Sequence, residues 1–516
     1  MIIDMKNRLT YIVLLIILSI SFPSCDDWLS IKPEGDIVED DFWQSEADVK
    51  GMVMSAYRFL SSANTMNRIV IWGEFRSDNI SLESSASNDE RNIFNVNILP
   101  ANGLTSWGDF YKVINICNLI LEKAPAVRER DLDFSENALN NYLAEALTIR
   151  SLCFFYLVRV YGRVPLVLEA TISENQNMDC KQSDESVVLE QIIKDLILAE
   201  EYAAIQWESN ALTKGRVTRN AVRALLADVY LWNMQYDECI NACDRILDDK
   251  SAMLELVDGK TMFSDVFGQG NSTESIFELN FSINGQRNDA TASLYGNPQK
   301  NRSPHVKASP GLYNSYKTVD QLDIRGKDFL GSSNRGYRIY KYEAVSSLSD
   351  FSEEASFPQG YYRSASSTSN WIFYRLPDIY LIKAEALSEK EGASETDYRE
   401  ALALVNLVYE RATLNNDSYL FDNYSSGVAI KKLILEERRR EFAFEGKRWF
   451  DLLRKVRKEE STIDTWNILA LNYEENVELI RAKLSNKNAW YLPVNQNEMS
   501  LNPNLVQNPF YQVSGY

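Results

Sequence analysis

Apolar residues recur at the spacing of amphipathic helices over much of the chain. Val222, Leu225, Leu226, Val229 and Tyr230 follow i, i+3, i+4, i+7, i+8 spacing, which predicts a helix with one buried face. A second helix is predicted to follow it after a short turn. The same periodicity predicts helices over 46–61, 105–124, 136–161, 185–204, 236–247 and 427–456.

The helices are predicted to come in pairs that stack along the chain. Ala384 and Ala386 are small residues that let two helices approach closely, and Tyr398 opens the next helix, as Tyr236 opens an earlier one. This pattern is typical of tetratricopeptide repeats, although the period is irregular. The chain is longer than one compact core usually supports, and no Pro/Gly/Ser-rich linker divides it. We therefore expect a mostly helical, tetratricopeptide-like scaffold.

The interval 257–370 breaks the helical pattern and is predicted to be a loop-rich insertion with short β-strands, one of them at 275–281. Uninterrupted loops of this size are uncommon unless they are functional. Its aromatic residues alternate with Asn, Ser, Arg and Gln, so they could stack on sugars or grip a peptide. Any single ring is expected to be buried as an anchor of its loop. The region as a whole is expected to form a ligand-binding surface. The rings are Tyr295, Tyr313, Tyr316, Tyr337, Tyr340, Tyr342, Tyr361, Tyr362 and Trp371.

The N-terminus is predicted to be a signal peptide, residues 1–24. Lys6 and Arg8 precede a ten-residue block that is apolar apart from Ser19, which is too short to span a bilayer. Cys25 follows this block, which predicts lipoprotein processing with acylation of Cys25, although the residues before it form a loose lipobox. Residues 25–45 would then be a tether, and 46–516 a single domain on the outer surface of the cell.

Composition excludes several classes of function. The net charge is −19, which argues against binding nucleic acid because two polyanions repel each other. His305 is the one histidine, so metal sites built on several imidazoles are excluded. The chain has no phosphate-binding glycine loop and no H-E-x-x-H helix, and we expect no cofactor. Acidic pairs are abundant, but no pair is singled out as a glycosidase dyad.

The cysteines are expected to be structural. After Cys25 five remain, an odd number, and four of the five lie in helical patterns among apolar neighbours. Cys239 and Cys243 share a helix face and would supply half of a thiolate metal site, but no second pair or histidine lies near them in sequence.

The charged run 436–441 is interpreted as part of a salt-bridged helix packed on the scaffold. Glu436 with Arg440, and Lys447 with Asp451, have the i,i+4 spacing of helical ion pairs. Gly446 is unexpected inside this predicted helix, because Gly is about 1 kcal/mol less favourable than Ala there. Close packing of another segment against Gly446 would account for it.

Two long motifs resemble the SusD/RagB family of Bacteroidetes surface lipoproteins. They are ERRREFAFEGKRWFDLLR at 437–454 and LPVNQNEMSLNPNLVQNPFY at 492–511, and shorter matches extend the resemblance over nearly the whole chain. Two departures are Tyr409, where the family often has Arg, and Phe510, where Gly is common. The shorter matches include Phe42–Trp43, Ala56–Tyr57, Trp107, Tyr111, Asn118, Ala144–Ala146, Arg150, Gly215–Thr218, Glu274–Glu278, Arg375, Asp378 and Asn406.

The resemblance implies a function as well as a fold. Such proteins are not enzymes: they capture an oligomer at the cell surface and pass it to a SusC-like TonB-dependent transporter in the outer membrane. The ligand face is expected in loops near 62–104 and 284–370. The family's ligand residues are not a fixed motif, so candidates come from these loops and the insertion. They are Arg91, Asn92, Tyr295, Tyr337, Tyr361, Tyr362 and Trp371.

Four hypotheses remain at this point. An oligosaccharide is the expected ligand, and peptide capture, as in RagB-like members, is the first alternative. A surface glycoside hydrolase and a pure scaffold are further alternatives. A structural Ca²⁺ is compatible with the family but has no motif in this sequence.

Overall fold

Paired helices make up most of the structure, as the periodicity predicts. The computed structural model describes residues 42–172, 180–282, 284–296, 303–319, 323–333, 336–343, 368–414, 418–459, 462–470, 473 and 476–512. The described residues from Ser45 onward form one compact unit. The predicted signal peptide, Cys25 and the tether up to residue 41 lie outside the described residues.

The first half of the scaffold contains nine α-helices and three short strands among the described residues. The helices are α1 Glu46–Leu60, α2 Ala63–Glu74, α3 Asn88–Phe94, α4 Gly108–Arg130, α5 Glu136–Tyr161, α6 Glu185–Tyr202, α7 Asn210–Gly215, α8 Arg219–Trp232 and α9 Tyr236–Leu247. The strands are β1 Ile80–Leu82, β2 Val164–Pro165 and β3 Gln182–Ser183. Each helix of the pairs α4–α5, α5–α6 and α8–α9 packs against its neighbour.

The predicted insertion contains short strands and helices. A strand near its start pairs with the strand that follows its end. Its elements are β4 Ser275–Leu279, α10 Asp289–Leu294, β5 Val306–Ala308, α11 Pro310–Val319, α12 Arg325–Asp328, β6 Leu330–Ser333 and β7 Gly336–Ile339. β8, Trp371–Arg375, returns antiparallel to β4, with Leu279 opposite Trp371. The strand predicted from Ser275 is therefore confirmed. Every residue of β4 and of β8 is buried, so both strands belong to the core of the scaffold.

The last part of the chain returns to helices. They are α13 Leu376–Glu389, α14 Glu395–Thr413, α15 Gly427–Glu441, α16 Arg448–Val456, α17 Ile463–Ala470, α18 Val477–Leu484 and α19 Gln496–Leu501. Ala384 and Ala401 are completely buried where α13 and α14 meet, in one apolar cluster with Val405 and Ile434. The small residues at the helix crossing thus allow the close approach that the sequence predicts.

The charged run 436–441 lies at the centre of the scaffold, and two details of its prediction are wrong. The single helix predicted over 427–456 is two helices, α15 and α16, separated by a turn at 442–447. Arg440 pairs with Glu437 at 2.7 Å instead of Glu436, and Lys447 pairs with Asp378 at 2.7 Å instead of Asp451. The segment is salt-bridged as expected, but Arg440 takes an i,i+3 partner within its helix and Lys447 takes a partner on another helix, so neither follows the predicted i,i+4 spacing.

Arg375, at the end of β8, joins three buried carboxylates. Its guanidinium contacts Glu274 at 3.1 Å, Glu445 at 2.7 Å and Glu441. Lys341 adds a second cation at 2.6 Å from Glu445. Burial opposes ionisation of Glu445, but Arg375 and then Lys341 outweigh it and lower its pKa to about 2. These ion pairs connect the base of the insertion to the turn between α15 and α16.

Gly446 is explained by close packing, as the sequence suggests, although it lies in the turn and not inside a helix. Its φ is +67°, a conformation that favours glycine. The facing helix α2 contributes Gly73, and a Cβ at Gly73 would lie 1.8 Å from the carbonyl oxygen of Gly446. The two backbones are therefore in direct contact.

Glu74, next to that contact, predicts a dependence of stability on pH. Burial raises its pKa to about 7, although Asn79 and the backbone N–H groups of Phe444 and Gly446 donate hydrogen bonds to it. The pKa of Glu74 is higher in the folded than in the unfolded protein. Its contribution to the free energy of unfolding is therefore largest below about pH 4.5 and is lost as the pH rises through 7. Between about pH 5.5 and about pH 8 the loss is on the order of 2 kcal/mol.

Urea unfolding at both pH values measures this effect. The difference in unfolding free energy between the two pH values should shrink in Glu74→Gln and persist in Glu129→Gln, which changes an exposed glutamate. An unchanged difference in Glu74→Gln would contradict the assignment. Glu278 contributes in the same direction, since burial raises its pKa to about 7 as well.

Candidate functional site

Two loop regions that are far apart in sequence are joined by a four-stranded sheet with the order β1-β5-β7-β6. Leu82 of β1 lies opposite Val306 of β5, and all the pairings in the sheet are antiparallel. Beyond β1, the N–H of Glu83 donates to the carbonyl of His305 at 2.9 Å. The expectation that the loops near 62–104 and 284–370 form one region is consistent with this contact. We refer to the contact between residues 80–90 and 304–308 as the seam.

The single histidine lies on the seam. Its Nδ1 is 2.9 Å from Oε1 of Glu90, which is also the third residue of α3 in a capping box with Ser87. Burial opposes the charge of Glu90, but the hydrogen bonds from His305 and from the Ser87 N–H outweigh it and lower the pKa of Glu90. His305 is thus a structural partner that fixes α3 against β5.

Buried charges attach the sheet to the scaffold. Asp78, just before β1, accepts two hydrogen bonds from Arg448 at 2.7 and 3.1 Å. Arg439 contacts the same carboxylate at 3.2 Å. Burial opposes ionisation, but Arg439 and Arg448 hold the pKa of Asp78 well below its usual range. Ser309 donates to the carbonyl of Asp78 at 2.6 Å, which ties the end of β5 to the same point.

A stacked pair of tyrosines covers the centre of the sheet. Tyr313 of α11 lies parallel to Tyr337 of β7, with ring centroids 3.5 Å apart and planes 15° apart. Both rings are half-buried, so each presents part of its surface to solvent. Lys317, one turn further along α11, places its Nζ 4.4 Å from the centroid of the Tyr313 ring. This pair is the aromatic surface in the described part of the insertion that a ligand can reach.

Exposed side-chain amides and hydroxyls lie on the segments that form the seam and on the stretches of chain that flank them. Neutral amides both donate and accept hydrogen bonds, so they suit a ligand rich in hydroxyl or peptide groups. The exposed residues of this kind are Ser84, Ser85, Asn88, Asn95, Asn97, Asn284, Ser303 and Asn314.

Arg91 and Asn92, both predicted ligand residues, lie half-buried on α3 at the seam. The guanidinium of Arg91 donates to the carbonyls of Ala86, Glu83 and Ser84 at 2.8–3.1 Å. It therefore shapes the loop before α3, and its charge is not paired with a carboxylate among the described residues.

Tyr295 and Trp371 are not surface residues, and their predicted place in a ligand surface is wrong. Tyr295 is 3% exposed and donates to the carbonyl of Phe444 at 2.8 Å, and Trp371 is completely buried in β8. Both rings stack on Tyr342, with centroids 6.0 and 5.4 Å away. Composition alone does not distinguish these anchors from exposed rings. Tyr316, Tyr340 and Tyr342 are buried in the same way.

Tyr361 and Tyr362 lie outside the described residues, so their predicted role stays a prediction. Tyr337 lies at the sheet, with Tyr313 against it. Lys317 also lies there and was not predicted, whereas Lys307 and Arg338 lie on the opposite face of the sheet from Tyr337. The sequence signal for Lys317 was its position four residues after Tyr313, which places the two side chains on one face of a helix.

The described residues contain no group of three His, Cys, Asp or Glu side chains placed to hold a metal ion. Cys239 and Cys243 are buried in α9, and Cys117 and Cys153 are buried in α4 and α5. No helix in the described ranges is long and apolar enough to cross a membrane. Binding of a structural Ca²⁺ stays a prediction.

The C-terminal motif at 492–511 is part of the scaffold, as expected. The side-chain amide of Gln507 accepts a hydrogen bond from the N–H of Val494 and donates one to its carbonyl, both at 2.8 Å. Asn495 donates to the carbonyl of Asn102 at 3.0 Å. Between this segment and the turn after α5 lies a cavity of about 260 Å³, lined in part by Gly162 and Tyr491. The amides of Gln507 and Asn508 in its wall are used in internal hydrogen bonds.

Family models match both halves of the chain. One, described as SusD family, matches residues 330–511, and another, described as starch-binding associating with outer membrane, matches residues 27–231. The chain belongs to the SusD family. The resemblance inferred from the motifs is confirmed, and the motif at 437–454 contributes buried ion pairs to this chain.

Similar proteins cover nearly the whole chain. A SusD-like protein of Formosa agariphila is 26% identical over 476 residues, which is 86% of this chain and 90% of the relative. A SusD-like protein of Bacteroides ovatus is 25% identical over 480 residues, 87% of this chain and 82% of the relative.

Solved structures establish the same fold. A SusD superfamily protein of Bacteroides vulgatus superposes with a TM-score of 0.75 at 20% identity, covering 91% of this chain and 100% of the other. A SusD homolog of Bacteroides thetaiotaomicron superposes with a TM-score of 0.72 at 19% identity, covering 92% and 99%. The predicted helical-repeat fold with short strands is confirmed.

Proposed function

We propose that this SusD-family protein captures oligosaccharides at the cell surface and delivers them to a SusC-like TonB-dependent transporter. Lipidation of Cys25 would hold it on the outer membrane. The observation that carries the proposal is the Tyr313–Tyr337 pair, two stacked rings that are both partly exposed; Tyr313 is followed directly in sequence by the exposed amide of Asn314. A matching family model described as starch-binding and associated with the outer membrane supports the same ligand class.

The sheet that carries the tyrosine pair is rigidly attached to the scaffold, which favours binding of a ligand from solution. The sheet is fixed to the scaffold through Asp78 and to α3 through His305 and Glu90. A surface that is already ordered loses less conformational entropy on binding than a mobile loop does. The tyrosine rings would stack on the C–H faces of sugars, and the amides would bond to their hydroxyls.

A hydrolase is less well supported. Glu74 and Glu278 have pKa values of about 7, the range of a general acid, but both are completely buried. Their oxygens accept hydrogen bonds from the protein itself, so neither is presented to a glycosidic bond. We therefore propose a binding protein without catalytic activity.

Peptide capture is the remaining alternative, since aromatic rings and amides also suit a peptide. Isothermal calorimetry of residues 26–516 against plant, host and microbial oligosaccharides and a peptide digest separates the two. We expect binding of a saccharide with micromolar to millimolar affinity, about −8 to −4 kcal/mol. Binding of peptides alone would replace glycan capture with the RagB-like function. Release of reducing sugar by the purified protein would overturn the proposal that it is not an enzyme.

A further inference from the structure

The cavity between the C-terminal segment and the turn after α5 lies apart from the seam. Its volume is about 260 Å³, and its walls come from the turn at 161–163, from β3, from the start of α6 and from residues 488–494 and 506–509. None of the residues that line it belongs to the seam or to the Tyr313–Tyr337 pair. Pockets for drug-sized ligands usually enclose about 300–1,000 Å³, so this cavity suits a single ring and not a chain of several.

Glu185, the first residue of α6, lines the cavity and uses only one of its two carboxylate oxygens. Its Oε1 accepts a hydrogen bond from the indole N–H of Trp232 at 2.7 Å and lies 2.6 Å from Nη2 of Arg457. Within the described ranges no group donates a hydrogen bond to its Oε2. The carboxylate is therefore held in place through Oε1, and Oε2 can accept a hydrogen bond from a ligand.

The hydroxyl of Tyr491 is a second unused polar group in the wall. It forms no hydrogen bond with another described residue, although the carbonyl of Tyr491 accepts one from Tyr511 at 3.1 Å. Burial, and after it the charge of Glu185, raises the pKa of Tyr491 to about 12, so its hydroxyl keeps its proton. Gly162 packs against the ring, since a Cβ there would lie 3.5 Å from two of its carbons.

The charged groups in the wall are already neutralised by partners. Arg457 lies 2.6 Å from Glu185, and Asp184 lies 2.9 Å from Arg163. Neither a cation nor an anion is therefore favoured in the cavity, whereas a neutral ligand with hydroxyl groups could bond to the unused polar atoms without removing either ion pair.

We propose that this cavity binds one neutral sugar ring, at a site separate from the tyrosine pair. Leu492, Val494 and Val506 supply apolar contacts for the C–H groups of the ring. The hydroxyls of the ring donate to Oε2 of Glu185 and bond with the hydroxyl of Tyr491. This second site does not depend on the proposed capture at the seam.

Saturation-transfer NMR of residues 26–516 with neutral methyl glycosides of glucose, galactose, mannose and xylose tests the inference. We expect at least one glycoside to bind with a millimolar dissociation constant. The Tyr313→Ala, Tyr337→Ala double variant should bind that glycoside as well as the parent does. Absence of binding by all four glycosides, or loss of binding in the double variant, would overturn the inference.

Removal of one hydroxyl locates the contact. Tyr491→Phe should weaken binding of the glycoside at least threefold. Tyr424→Phe is the matched control, since Tyr424 is also half-buried and does not line the cavity. Equal affinity in the two variants would overturn the inference.

Filling the cavity gives an independent check that preserves the core. Val506 is 56% exposed, so Val506→Phe adds volume at the cavity wall without overpacking the core, and it should abolish binding of the glycoside. Val428→Phe, at a residue that is 82% exposed and outside the cavity, should leave the affinity unchanged. Binding to Val506→Phe with the affinity of the parent would place the sugar elsewhere and overturn the inference.

The two proposals fail differently. A protein that captures oligosaccharides but binds no methyl glycoside retains the proposed function and overturns the second site. A protein that binds a glycoside in the cavity but no oligosaccharide retains the second site and overturns capture at the tyrosine pair.

Discussion

Replacing Gly73 by alanine is expected to destabilise the protein by about 3 kcal/mol, the upper end of the usual cost of overpacking a core. The added Cβ would lie 1.8 Å from the carbonyl oxygen of Gly446 and 2.4 Å from its carbonyl carbon. Both atoms belong to backbone, so no side-chain rotation relieves the overlap. Thermal or urea unfolding of the purified variant measures the loss.

Gly51→Ala is the matched control for this prediction. Gly51 also lies within a helix, α1, but a Cβ there meets nothing within 4 Å. Alanine should therefore stabilise the protein by up to about 1 kcal/mol through helix propensity alone. If Gly73→Ala were as stable as Gly51→Ala, the close packing of α2 on the turn at Gly446 would be refuted.

Arg375→Met is expected to cost about 3–5 kcal/mol, because it removes a cation that three buried carboxylates share. Glu445 is buried, and Arg375 is the largest influence that lowers its pKa; Glu441 is buried as well, and Arg411 and then Arg375 lower its pKa. Without Arg375 their folded pKa values rise. The variant should then recover part of its unfolding free energy as the pH is lowered, because protonation removes the uncompensated charge.

Arg399→Met provides the comparison for this loss. Arg399 pairs with Glu395 at 2.7 Å on the surface of α14, where both side chains are mostly exposed. Removal of an exposed pair should cost less than about 1 kcal/mol. A loss in Arg375→Met no larger than in Arg399→Met, in urea unfolding at neutral pH, would show that the buried network does not hold the insertion to the scaffold.

The helical scaffold was predictable because its signals are local. The apolar spacing in α8 and the small residues Ala384 and Ala401 specify which faces pack, whatever the rest of the chain does. The break between α15 and α16 was not predictable from spacing, because it depends on a tertiary contact between Gly446 and Gly73. Partners of charged residues also depend on tertiary packing, as Lys447 and Asp378 demonstrate.

The candidate site was predictable as a region but not residue by residue. Rings in the insertion have similar sequence surroundings, yet Trp371 belongs to a core strand and Tyr337 stacks on Tyr313 at the surface. Strand pairing decides this difference, and pairing between β1 and β5 joins segments more than 200 residues apart. Lys307 and Arg338 become neighbours only through the pairing of β5 with β7.

Binding of the saccharide by a Tyr313→Ala, Tyr337→Ala double variant tests the central claim most directly. Tyr424→Ala is its control, since Tyr424 is also half-buried and packs on another tyrosine ring outside the insertion. Calorimetry with the saccharide that binds the parent protein should show at least a tenfold loss for the double variant and no change for the control. Unchanged affinity in a folded double variant would place the ligand elsewhere and contradict this account.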